Sequence, residues 1–297
     1  MPPTDHKTFL RNLSAEDRQS LTHRDPIAGY LHLAVYLIIL ISMSFLIATK
    51  ALLWPLLLPV QGVLLVFLFT LSHECTHRSP FPSDRVCDGV GHAMGVVLIL
   101  PFHWFRAFHL AHHRYTNIPG QDPELEGGKP ETLRAWLWHV SGIPIWISQI
   151  RTLLALARGA FDAPYMSDRI RPKCQREARA LLVLYGLGLV SLAVSPLLFW
   201  VWLLPLLLGQ PFLRLYLLAE HGDCPFVEDM FLNTRTTFTT RSVRFLAWNM
   251  PYHAEHHTYP TVPFHNLPRL HQMMRTHLGV TSDGYVGFTR RYLARRT

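Results

Sequence analysis

Hydrophobic and polar positions along this chain fall in long blocks rather than a fine alternation. No Asp, Glu, Lys or Arg lies between Asp25 and Lys50, between Lys50 and His73, or between Arg179 and Arg214. A bilayer crossing takes about 20 mostly apolar residues as helix. The first two blocks predict a hairpin of helices over about 30–49 and 52–71, with Lys50 and Trp54 at its outer turn. Written as one helix, Ala180 to Leu213 would run about 51 Å, well past a hydrocarbon core of about 30 Å. A second hairpin over about 180–197 and 200–219 is predicted instead. Ser195, Pro196, Trp200 and Trp202 lie near its turn, since proline breaks helices and tryptophan favours the membrane interface.

Four crossings place both termini on one side, with residues 73–179 and 220–297 forming one cap. Within the cap, Gly89 to Phe105 is interrupted by His92, Pro101 and His103, which predicts a re-entrant or interfacial piece. Leu133 to Leu156 has helical spacing broken by Arg134, His139, Pro144 and Arg151, which suits helices lying in the headgroup zone. Gly120-Gln121-Asp122-Pro123 and Gly127-Gly128-Lys129-Pro130 are turn chemistry. The expected fold is a single all-α integral membrane domain over 1–297: four transmembrane helices in two hairpins under a helical cap.

Composition agrees, with 49% hydrophobic and 16% charged residues. In this topology Lys50 alone of the 28 Lys and Arg residues lies outside, so the positive-inside rule makes the terminal and cap side cytoplasmic. That distribution accounts for the net charge of +8 through membrane lipids, and no base-reading module points to nucleic acid. The polar first 25 residues lack the apolar core of a signal peptide, so the first helix is expected to stay as an anchor. Cys75, Cys87, Cys174 and Cys224 form no close pair, which predicts neither disulfides nor a sulfur-ligated metal module.

Histidine carries the chemistry. Of 18 histidines, nine fall in four places beside the predicted membrane helices. His73-Glu-Cys-Thr-His77 puts two imidazoles on one helical face, and His109-Leu-Ala-His112-His113 adds an i, i+3, i+4 set. His253-Ala-Glu-His256-His257 repeats that set, and His221 follows the fourth helix. Imidazole is the commonest metal ligand at neutral pH. Eight or nine nitrogens exceed the needs of one ion, so two metals follow. Iron is preferred over zinc because the set exceeds the three protein ligands of a hydrolytic zinc site, although histidine alone leaves zinc, copper and manganese open.

The HECTH, HLAHH and HAEHH motifs around two apolar hairpins resemble the three histidine boxes of membrane fatty acid desaturases, and Asn249-Met-Pro-Tyr before His253 is similar to the third box of bacterial members. The third box begins with His253 rather than glutamine, and no His-Pro-Gly-Gly of a fused cytochrome b5 is present, which disfavours a front-end desaturase. The resemblance implies a di-iron centre held by His73, His77, His109, His112, His113, His253, His256 and His257, with His221 as a further ligand. It implies an O2-dependent oxidoreductase of a bacterial inner membrane that desaturates a lipid or acyl chain. Asn249 is a candidate for holding a metal-bound water, orienting the third box or capping a helix. Glu74, Glu255 and Asp122 are candidates for accepting the outer imidazole N–H groups. His92, His103, His139, His265, His271 and His277 lack cluster spacing and are expected to be structural or surface residues.

No Gly-x-Gly-x-x-Gly fingerprint occurs, so electrons are expected from a separate reductase through a ferredoxin or cytochrome b5. Arg106, Arg114, Arg241 and Arg244 are candidates for docking that donor. A hydroxylase or ketolase on the same scaffold is the nearest alternative. A histidine-rich metal transporter is a remote one, because these histidines sit at helix ends rather than at the bilayer midplane.

Overall fold

The computed structural model describes residues 5–296, most of them helical. Two short helices, α1 (His6–Asn12) and α2 (Ala15–Leu21), lead into α3 (Pro26–Ala48). α3 begins where the Asp25 carboxylate accepts the amides of Ile27 and Ala28 and Pro26 supplies a preset φ. Its outward residues Ile38, Ile41 and Phe45 remain 64%, 64% and 65% exposed, a stripe suited to lipid rather than water. The chain reverses through Lys50 and Leu53, both left-handed, into α4 (Trp54–Thr76), whose second half is buried almost without interruption.

α5 (Asp84–Leu98) and α6 (Phe102–Tyr115) meet at 103°. Left-handed Ile99 ends the first helix, and Pro101 has no amide with which to continue it. The Glu177 carboxylate then accepts the amides of Phe102 (3.0 Å) and His103 (2.8 Å), satisfying two donors at the start of α6. α7 (Leu133–Val140) and α8 (Ile143–Arg158) meet at 55° across Gly142, whose φ of 74° favours glycine. α9 (Arg171–Ser191) passes through a turn and a π-helical stretch, Phe199–Leu203, into α10 (Leu204–His221). α11 (Met230–Asn233), α12 (Arg241–Leu246), α13 (His253–Thr258), α14 (Leu267–Met274) and α15 (Gly284–Ala294) complete the chain.

The all-α expectation needs one correction. β1 (Thr236–Phe238) and β2 (Thr281–Asp283) pair in parallel, with Thr236 opposite Thr281. β-branched threonine suits such a ladder, and Thr236 also bridges Tyr252, which anchors the start of α13.

Three segments are long and apolar enough to cross a membrane: Ala15–Ala48, which includes α3, Trp54–Thr76 and Phe199–His221. The bent pairs α5/α6 and α7/α8 raise that to five if each is one span. The first, second and fourth predicted crossings thus overlap these segments, but the third, over about 180–197, is not among them. α9 starts at Arg171 and carries Arg176, Glu177 and Arg179 in its first half. Its apolar remainder is about 18 Å long, short of a core of about 30 Å.

α4 and α10 form the central pair, and two glycines set their distance. A Cβ at Gly62 would lie 2.2 Å from the Pro205 carbonyl oxygen, and one at Gly209 would lie 2.2 Å from that of Gly62. Small residues permit this backbone approach where no hydrophobic gain separates protein from lipid. Gln61 Nε2 donates to Ser44 Oγ (2.8 Å) and to the Val201 carbonyl (3.2 Å), tying α3 and the π-helical stretch to α4. The C-terminal ends of α4 and α10 therefore arrive side by side.

Candidate metal centre

Four chain segments deliver histidines to that end of the pair. α4 carries His73 in its last turn, and His77 is its C-cap residue. The last turns of α6 carry His109, His112 and His113, α10 ends on His221, and the short α13 carries His253, His256 and His257. Two left-handed residues in succession, Trp248 and Asn249, turn the chain before α13 and aim it back at the bundle.

The nine rings sort into two groups. His73, His77, His109, His113 and His256 form one, and His112, His221 and His257 form the other. His253 joins the second, its Nε2 lying 3.1 Å from those of both His221 and His257. Further Nε2–Nε2 separations are 2.9 Å for His77 and His109, 3.2 Å for His256 and His113, and 3.3 Å for His112 and His221. Adjacent nitrogens on one ion, each about 2.1 Å from it, lie about 3.0–3.4 Å apart.

The proton positions favour the same reading. His112 Nδ1 donates to Asp122 Oδ1 at 2.9 Å, and His221 Nδ1 donates to the Asn233 carbonyl at 3.2 Å. With neutral rings, both Nε2 atoms would carry lone pairs that face each other, an arrangement relieved by a metal ion between them or by a proton on His112 Nε2, whose pKa Glu124 and Asp122 raise. His73 is starker: it is buried, and neither ring nitrogen has a hydrogen-bond partner. Burial also holds the His253, His256 and His257 pKa values well below that of free histidine, which keeps these imidazoles neutral and able to coordinate. The donor set therefore fits two metal ions.

Around the rings stands an uneven shell of acceptors. Asp122 also accepts the amides of Asn117 (2.6 Å) and Glu124 (2.9 Å), so its carboxylate is fixed from the loop side. Glu74 Oε1 lies 3.5 Å from His256 Nδ1, too long for a normal hydrogen bond, while its other oxygen accepts from Ser79 Oγ at 2.7 Å. Glu255 turns away from the rings, to His271 Nδ1 and to Thr236 Oγ1 at 2.6 Å, and so braces α13 against the sheet. Asn249 Nδ2 donates to the Phe264 carbonyl at 3.0 Å, which gives the residue a loop-holding place outside both groups.

Sequence reasoning missed several neighbours. Glu220 Oε1 lies 3.4 Å from His253 Nδ1, and Glu124 Oε2 lies 3.5 Å from His112 Nε2. Thr116 Oγ1 lies 3.0 Å from His257 Nδ1, and Lys129 Nζ donates to the His221 carbonyl at 2.7 Å. Glu220 had a signal, a carboxylate ending an apolar helix beside His221, whereas the other contacts depend on loop paths. Of the basic residues considered for donor docking, Arg106 pairs with Asp88 at 2.8 Å and Arg244 donates to the Tyr252 hydroxyl at 2.7 Å.

The sequence pattern of the fatty acid desaturase family matches residues 49–287, most of the chain and all nine histidines. The chain belongs to the fatty acid desaturase family. An sn-1 oleoyl-lipid 12-desaturase of Picosynechococcus is 35% identical over 126 residues, 38% of this chain and 36% of that protein. One from Arthrospira platensis is 26% identical over 71% of this chain and 66% of its own length. A human sphingolipid delta(4)-desaturase/C4-monooxygenase is 26% identical over 79% of this chain and 71% of its own. This desaturase-family chain thus spans less than two thirds of the first two relatives, and its candidate spans make it a membrane protein.

Asp122→Asn keeps the volume of the side chain but removes the charge that fixes His112. Metal affinity of the second group should fall about 10–100-fold, read by competition with a chelator. Unchanged retention would leave Asp122 as a loop brace alone.

Proposed function

We propose that this chain is an O2-dependent di-iron desaturase that introduces a double bond into an acyl or related lipid chain with electrons from an external donor. The observation that carries this reading is the convergence of nine imidazoles into two groups beside the C-terminal ends of α4 and α10. His73, His77, His109, His113 and His256 would hold one iron, and His112, His221, His253 and His257 the other. What the bound pair supplies is activation of O2 for hydrogen removal from an unactivated C–H bond.

The protein's own part is placement. Nδ1 of His112 and of His221 keeps its proton on an outward acceptor, which leaves Nε2 free to point inward. Phe69 and Phe105 flank the first group, their rings 6.4 Å from His73 and 5.6 Å from His109, so its flank is apolar. An acyl chain bound against these rings would meet apolar side chains, and its position would decide which carbons react.

Under this reading the chain makes four crossings in two hairpins, as in the sequence-based expectation, with α9 tilted or partly interfacial. Residues 73–179 and 220–297 cap the bundle on the cytoplasmic side of a bacterial inner membrane. Ferredoxin or cytochrome b5, with its reductase, delivers electrons there.

One observation favours a second reading: the human relative's name joins desaturation to C4-monooxygenation. A hydroxylase would use the same residues. Expression of wild type and His256→Ala in a bacterial host with a ferredoxin and its reductase, followed by lipid mass spectrometry, separates the two. Chains that lack two hydrogens only with wild type are expected. Chains that gain one oxygen would move the assignment to hydroxylation, and no change in any lipid despite bound iron would overturn an acyl-lipid substrate.

A further inference from the structure

His92, His103 and Glu177 lie outside both box groups, and nothing in the proposed reaction uses them. We propose that they form a separate site for one zinc-class divalent cation at the α5/α6 bend. Each comes from a different helix: His92 from α5, His103 from the first turn of α6, and Glu177 from α9. One ligand atom from each residue lies within 4.8 Å of the other two. His92 Nδ1 is 2.6 Å from Glu177 Oε1, and the His103 ring stands edge-on to that of His92 at 4.5 Å and 76°.

Two histidines and one carboxylate, with a fourth position open to water, make up a recurrent zinc donor set. Ligand atoms around such an ion lie about 3.3 Å apart, so from separations of up to 4.8 Å the group needs to contract by at most about 1.5 Å. The carboxylate is already aimed, because its oxygens accept the amides of Phe102 and His103, and Oε2 retains a lone pair. The His92 and Glu177 side chains are 37% and 12% exposed, which gives an aqueous ion a way in.

Capping α6 does not by itself explain this group. The cap needs only Glu177 and two backbone amides, yet the chain also brings two imidazoles to the same carboxylate. The His103 ring makes no hydrogen bond among the described residues. An ion here would clasp α5, α6 and α9 together. It would thereby fix the bend that aims His109, His112 and His113.

The test uses the full chain in detergent with both box groups loaded with iron. Zinc alone is titrated in, loose metal is removed by desalting, and iron and zinc are counted per chain. Wild type should hold one further zinc while keeping its iron, and zinc should raise its melting temperature. His92→Ala leaves both backbone bonds of Glu177 intact. This variant and His103→Ala should each weaken zinc retention at least about 100-fold and lose the thermal shift. If His103→Ala also loses iron, His92→Ala decides alone. Equal zinc retention by wild type and both variants would overturn the site, as would zinc uptake only in exchange for iron. Because iron is counted in the same sample, failure of this site is distinguishable from failure of the di-iron reading.

Discussion

Alanine at position 73 should strip the first histidine group of its ion and leave the metal-free fold as stable as before. His73 is buried, and both of its ring nitrogens lack partners. A buried polar group without a partner costs about 1–3 kcal/mol, comparable to what burying the ring's apolar carbons returns. Metal-free His73→Ala should therefore match metal-free wild type within about 1 kcal/mol. Bound metal should fall by about one ion per chain, and turnover by about a thousand-fold or more, as befits several kcal/mol of lost stabilisation. Metal analysis, thermal unfolding with and without chelator, and lipid product analysis read these separately. A variant with full metal content removes His73 from the ligand set. A large loss of stability without metal makes it a packing residue.

The division of the nine histidines follows from helix geometry, although the motifs alone do not announce it. Successive residues on a helix point about 100° apart. Adjacent His112 and His113 therefore cannot serve the same ion, and they fall in different groups, as do His256 and His257. The motif spacing marks which histidines gather, but the partition crosses motifs: the first group draws on three separate segments of chain. The same geometry explains Glu255. One residue before His256 and two after His253, it points away from both and meets His271 instead.

Membrane boundaries were legible where charge ends an apolar block and illegible where a helix runs through charge. α3 starts at the capping aspartate, which the sequence displays openly. α9 starts some residues before its apolar stretch because Pro172 and the turn before it allow helix to begin among arginines. Hydropathy cannot see that start. Nor could spacing find the pairing of His92 with His103, since a 103° bend rather than a helical repeat brings them together. Asn249 sits close to the third box in sequence, but its left-handed backbone and its bond to Phe264 commit it to the turn.

Alanine at Gly62 and alanine at Gly89 should act in opposite directions, although both add one methyl group to a helix. At Gly62 the new Cβ meets the Pro205 carbonyl oxygen at 2.2 Å and the Gly209 amide nitrogen at 2.8 Å, and backbone atoms cannot rotate away. α4 and α10 must separate, at a cost of about 3 kcal/mol or more, which lowers the melting temperature by roughly 6 °C or more. α4 carries His73 and His77 whereas α10 carries His221, so the separation also moves one metal group against the other. Metal content should fall together with stability. At Gly89 nothing lies within 4 Å of the added Cβ, and alanine favours helix over glycine by about 1 kcal/mol. Gly89→Ala should hold its metal and melt at or slightly above wild type. Equal melting temperatures for the two variants would mean that the α4/α10 contact is looser than its geometry and does not set the spacing of the two metal groups.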